Sequence, residues 1–171
     1  SVEGMYASIE DLGKKFNREN EAAAMIEEFD TFLKEYRDKN EGRESPKVLV
    51  LMGLPGSYIV ATESSYVGNL VKLAGGTNVY GDGDGEEFLT ANTEDMKNRE
   101  PDIILRAAHA LPDQVKEMFA EEFATNDIWK HFAAVQNGKV YDLDSSLFNM
   151  SANFKYSDAL KALQPMLYGE D

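Results

Sequence analysis

The chain has 171 residues, 43% of them hydrophobic and 11% aromatic, with 31 acidic against 17 basic residues and a formal charge of −14. That length suits one domain able to bury a core without disulfide or metal staples, and the acidity argues against nucleic acid, whose phosphates are gripped by clustered Lys and Arg. The lack of cysteine excludes disulfides, thiol catalysis and Cys-type zinc or iron–sulfur sites, and no apolar run approaches the roughly 20 residues that cross a bilayer, so this fragment reads as soluble.

Met5, Ile9, Leu12 and Phe16 recur at helical spacing, and after Asn17 a second series follows with Ala22, Met25, Ile26, Phe29, Leu33 and Tyr36. Two helices therefore fill the first forty residues. They begin at Ser1 without a preceding strand, as expected of a cut inside a longer protein. A charged connector, Asp38 to Ser45, leads into a buried strand from Pro46 to Met52 that ends at Gly53-Leu54-Pro55-Gly56. Tyr58 to Thr62 reads as a second short strand, and Tyr66 to Leu73 as a helix closed by Gly75-Gly76. After an exposed turn at Gly81 to Gly85, Asn92 to Asn98 forms a short helix that Asn92 or Thr93 can cap.

The next strand, Asp102 to Ala108, ends at His109, and Leu111-Pro112-Asp113 opens a helix to about Thr125. A turn from Asp127 to Phe132 carries Trp129. A strand from Lys139 to Leu143 follows the Asn137-Gly138 turn, and a last helix spans about Ser157 to Leu167. Strands alternating with helices imply an α/β fold, a three-layer α/β/α sandwich on a mostly parallel sheet, preceded by a linker helix region.

Catalytic patterns are missing: there is no Gly-x-Ser-x-Gly elbow, Walker loop, His-Glu-x-x-His or Gly-x-Gly-x-x-Gly after a strand. The Gly53 to Ser57 loop lacks the lysine and spacing of a phosphate cradle. The Asp82–Asp84 turn lacks the later glycine and glutamate of an EF-hand, so it reads as solvated. Of the two histidines, His131 sits beside aromatics in a turn, where packing or exposure is the usual fate. His109 stands at a strand end, where open α/β sheets bind ligands, and reads either as a ligand or as a satisfied histidine. Arg106 can pair with an acidic ligand group or with an internal carboxylate. Glu63, in Ala61-Thr62-Glu63-Ser64-Ser65, reads from its type alone as a solvated or helix-capping carboxylate.

Several segments carry a resemblance that spans essentially the whole chain: Gly4 to Gly13 with the helix to Tyr36, Val60-Ala61-Thr62-Glu63, Leu73 to Asn78, and Asn92 to Met96 leading into Pro101-Asp102-Ile103-Ile104. Ala134 to Tyr141 adds a late turn and strand. Together they resemble the C-terminal half of a class III substrate-binding protein, the kind that serves bacterial iron-complex ABC importers. In these proteins two lobes are joined by one long helix. The histidine after the Pro-Asp strand and the Phe148 to Asn153 tail are most similar to the heme-receptor lipoproteins of Gram-positive surface heme-uptake systems.

The resemblance implies linker helices at residues 1–44 and a C-terminal ligand-binding lobe at 45–171, the N-terminal lobe lying outside this chain. It implies that heme is captured rather than chemically changed, with His109 as the axial iron ligand and a methionine of the other lobe as its partner. Ser57, Tyr58 and Arg106 are the further expected contacts to heme, and Glu63 matches the acidic residue that docks on permease arginines. The full-length protein is then expected lipid-anchored on the extracellular face of the membrane, with heme-donating surface proteins upstream. The alternatives at this stage are a siderophore or cobalamin lobe of the same class and, more remotely, an α/β enzyme using Arg106, His109 and Asp113.

Overall fold

The computed structural model describes residues 1–169. Two helices open it, α1 (Val2–Phe16) and α2 (Glu19–Lys39). The Ser1 side chain caps α1 by accepting from the Gly4 amide. Asn17, left-handed at φ 54°, ends it, and the chain reverses because Gly13 leaves room for Ala22 of α2.

The sheet follows with β1 (Lys47–Leu54), β2 (Ser57–Ala61), β3 (Thr77–Asn78), β4 (Phe88–Thr90), β5 (Ile103–Ala108) and β6 (Val140–Asp142). Helices α3 (Tyr66–Leu73), α4 (Thr93–Asn98), α5 (Pro112–Thr125), α6 (Ala133–Gln136) and α7 (Tyr156–Tyr168) intervene, with 3-10 turns at Gly83–Gly85 and Asp127–His131. Of the two candidate caps of α4, Asn92 does the work: its Oδ1 accepts from the amides of Glu94 and Asp95.

The strand order is β4-β2-β1-β5-β6, with β3 also paired to β1. The β1–β3, β1–β5 and β5–β6 pairs are parallel, while β1–β2 and β2–β4 are antiparallel. The antiparallel edge departs from simple strand–helix alternation because only Pro55 and Gly56 separate β1 from β2, and so short a link can join only antiparallel strands. Nothing in the sequence pattern marks β4. It spans only Phe88, Leu89 and Thr90, too few residues to show a period.

β1 is buried along Val48 to Gly53 and its side chains alternate between two cores. Val48, Val50 and Met52 join Ile103 and Leu105 of β5 against α3, α7 and the α1–α2 pair, whereas Leu49 and Leu51 join Ile104, Val115, Phe119 and Trp129 on the α5 side. That is the expected three-layer sandwich.

α1 and α2 are full members of the first core, so packing draws no boundary at residue 44. Tyr6 stacks on Phe29 at 4.5 Å between ring centres, and Tyr156 stands edge-on to both. The Tyr6 and Tyr156 hydroxyls are 3.1 Å apart, the Tyr36 hydroxyl donates to the Leu160 carbonyl, and the Asn40 and Gln164 side-chain amides bond reciprocally at 2.9 and 2.6 Å.

Candidate functional site

β1 and β5 run parallel, so their carboxyl ends finish together, and the chain leaving each builds one rim. His109 is the first residue beyond β5. Its amide donates to the Gly53 carbonyl at 3.0 Å, extending the β1–β5 ladder by one bond and fixing its backbone beside the β1–β2 hairpin. The His109 side chain is exposed, and no described residue hydrogen-bonds or pairs with its imidazole. Such a nitrogen is available to a ligand.

Leu111 follows in the left-handed region at φ 46°, just before Pro112 starts α5. A branched residue there costs about 1–3 kcal/mol of backbone strain, and this one leaves its side chain 54% exposed. Phe154, 61% exposed, lies in the segment from β6 to α7, which also leaves a parallel strand at its carboxyl end. Neither residue stood out in the sequence, since apolar side chains in loops give no periodic signal.

The hairpin forms the other wall. Its Pro55-Gly56 turn pairs Leu54 with Ser57, and Gly56 takes φ +79°. Proline fixes a negative φ before it, which makes a type II turn. Ser57 is exposed at the tip, whereas Tyr58 turns under the hairpin toward α5. The Tyr58 ring packs near Phe119 and Trp129, and its hydroxyl donates to Glu122 Oε1 at 3.0 Å. Burial, reinforced by that carboxylate, pushes the Tyr58 hydroxyl far above its usual pKa and keeps it a donor.

Glu122 also accepts from Trp129 Nε1 and Asn126 Nδ2, both at 2.9 Å. Burial pushes its carboxyl up, but the donors from Trp129, Asn126 and Tyr58 outweigh it, leaving it below the ordinary carboxylate range.

Arg106 is engaged within the protein. Nε and Nη2 bond the two Asp142 oxygens at 2.8 and 2.7 Å, and the guanidinium lies over the rings of Phe119 and Phe123. β5–β6 register sets the two residues directly opposite each other. With the Arg106 side chain only 12% exposed, the internal-carboxylate reading describes what it touches.

Glu63 lies on the β2–α3 loop, its amide bound to the Gly81 carbonyl and Oε2 3.1 Å from Lys72 Nζ. Its side chain is 20% exposed. His109 and Ser57 thus share one rim with Leu111, Tyr58 props that rim from below, Arg106 faces α5 and Glu63 lies elsewhere. His131 is exposed on the 3-10 turn.

Among the described residues no three His, Cys, Asp or Glu side chains converge as a metal cage. A metal held by His109 therefore has to bring most of its donors with it. The described cavities lie away from this residue; one of about 580 Å³, between α2 and α7, is lined by Phe32, Tyr36 and Gln164. His109 stands on an open rim instead.

A layered α/β unit that presents an exposed imidazole at its strand ends has a placement suited to ligand capture. The model of the periplasmic binding protein family matches residues 1–147, and the chain belongs to that family, which comprises binding proteins rather than enzymes. Among individual relatives, the high-affinity heme uptake system protein IsdE of Staphylococcus aureus strain Newman is 45% identical over 169 residues, 98% of this chain and 58% of that protein.

A crystal structure of an ABC transporter substrate-binding protein from Listeria monocytogenes EGD-e superposes with a TM-score of 0.91 at 48% identity, covering 99% of this chain and 66% of that one. The S. aureus IsdE structure complexed with heme gives 0.90 at 45%, covering 98% and 65%. The chain thus spans 58% of the length of the curated relatives it matches.

Proposed function

We propose that this chain is the C-terminal lobe of a heme-capturing substrate-binding protein that delivers its cargo to an ABC permease. The observation that carries the reading is the exposed, unpartnered imidazole of His109 at the carboxyl end of β5, in a chain 45% identical to a heme uptake protein. A porphyrin brings the equatorial donors that this protein lacks, so a single neutral imidazole suffices from this lobe. Leu111, next to His109 in the chain, supplies exposed apolar surface for the macrocycle, and Ser57 on the hairpin a polar contact.

The opposite axial ligand belongs to a second lobe, which closes the other side of the cleft. Arg106 acts by fixing β5 to β6 rather than by meeting the ligand. Glu63 is the docking carboxylate toward permease arginines; its side chain is 20% exposed and paired with Lys72, so docking exchanges that ion pair for one with the permease, and such charges steer association and set register. In the full-length protein the lobe works on the extracellular face of the membrane, held by a lipid anchor and supplied by heme-donating surface proteins.

Alone, this lobe binds weakly, because half of the buried porphyrin area and one axial bond are missing. Parallel titrations with hemin and with a ferric hydroxamate siderophore, followed through fluorescence of Trp129, the sole tryptophan, test the substrate class. Quenching by hemin alone supports heme capture. Equal or stronger response to the siderophore, or none to hemin, contradicts it.

A further inference from the structure

Glu122 is a half-buried carboxylate with three donors on one oxygen, far from the strand ends in sequence, and the heme-binding reading assigns it nothing. Asn126 and Trp129 reach it from four and seven residues on, across the end of α5. Tyr58 comes from 64 residues back, on the hairpin. The Tyr58–Glu122 bond is the only side-chain hydrogen bond among the described residues that joins the hairpin tip to α5.

The hairpin needs such a tie. A two-residue link of type II does not match the right-handed twist of the strands it joins, unlike the primed turns usual there. A depression of about 460 Å³ lies between hairpin and α5, lined by Gly56, Ser57, Met118 and Thr125, so close packing does not clamp the tip.

At the other end of the same helix, α5 begins at Pro112, directly after His109 and the strained Leu111. Gly53 keeps it close, for a Cβ there would collide with Val115 and Phe119. The hairpin, α5 and the His109 loop are therefore a single frame, and Glu122 is the polar joint closing it.

We propose, resting on the heme reading above, that Glu122 is a positioning residue for the His109 site: through Tyr58 it holds the hairpin wall at a fixed distance from the loop that presents the imidazole. A ligand that must meet His109 and the hairpin together then finds both already placed, which is how preorganisation raises affinity. Glu122 itself touches no ligand.

The test uses the 171-residue chain with Glu122→Gln and Tyr58→Phe, the second keeping the ring and losing only the hydroxyl. Hemin affinity is read by Soret titration, local order by amide hydrogen exchange, and overall fold by Tm. Each substitution is expected to weaken hemin binding about five- to tenfold and to speed exchange at Ser57, Tyr58 and His109 by about tenfold, while Ile104 and Leu105 exchange as before.

Unchanged hemin affinity and unchanged exchange at the rim in Tyr58→Phe overturn the proposal. So does a uniform loss of protection across the sheet, which would make Glu122 a support of the fold alone. If wild-type chain ignores hemin, the heme reading falls, and faster exchange confined to the rim still distinguishes the joint from that failure.

Discussion

The seam between the α1–α2 pair and α7 and the rim around His109 solve opposite problems. In the seam the hydroxyls of Tyr6, Tyr36 and Tyr156 and the amides of Asn40 and Gln164 all have partners, and the rings of Tyr6, Phe29 and Tyr156 interlock. On the rim an imidazole lacks any described partner, and a leucine at positive φ leaves its side chain facing solvent. Stability is concentrated where groups are satisfied, and binding capacity where they are not. Substitutions in the two regions should therefore separate folding from ligand capture.

The largest loss of stability is expected in the seam. Phe29→Ala removes a ring from a buried aromatic cluster and should cost about 3–5 kcal/mol in chemical unfolding. Hemin binding by the fraction that remains folded should persist, and a selective loss of binding at unchanged stability would erase the contrast.

Next comes the pair beneath the rim. Asp142→Asn weakens the bidentate hold on Arg106, whose side chain is 12% exposed. Because Asp142 is itself partly solvated, the expected cost is about 1–2 kcal/mol rather than that of a fully buried pair.

A smaller effect concerns acid. Hydrogen bonds from Trp129, Asn126 and Tyr58 hold the folded-state pKa of Glu122 below the ordinary glutamate value despite its burial, so its contribution is present above the unfolded value and is lost as pH falls through the folded one. Unfolding monitored from pH 6 down to about pH 3 should show a shallower decline for Glu122→Gln than for wild type. Identical slopes would remove Glu122 from the acid response.

Smallest of all for folding, His109→Ala should change stability by no more than about 0.5 kcal/mol, since an exposed side chain without partners loses little on truncation.

The contrast also explains what was legible beforehand. The run Pro101 to Pro112 marks a buried strand, a histidine at its end and a helix start, so the position of His109 could be read directly. The partner of Arg106 could not, because Asp142 lies 36 residues away and meets it only through β5–β6 register. The Glu122 joint likewise needs the hairpin folded over α5, and an isolated glutamate in a helix reads as solvated. The antiparallel β4 edge is not legible, because three residues beside two glutamates show no alternation. Leu111 and Phe154 looked like ordinary hydrophobic residues until the fold left them outside the core.

The most direct test of the central claim is a hemin titration of wild type and His109→Ala, followed by Soret absorbance. A free imidazole coordinating iron predicts a ligated spectrum and weak but saturable binding for wild type, with both lost in the alanine variant while its Tm holds. An alanine variant with the same spectrum and the same affinity would show that His109 is not the iron ligand and contradict the account.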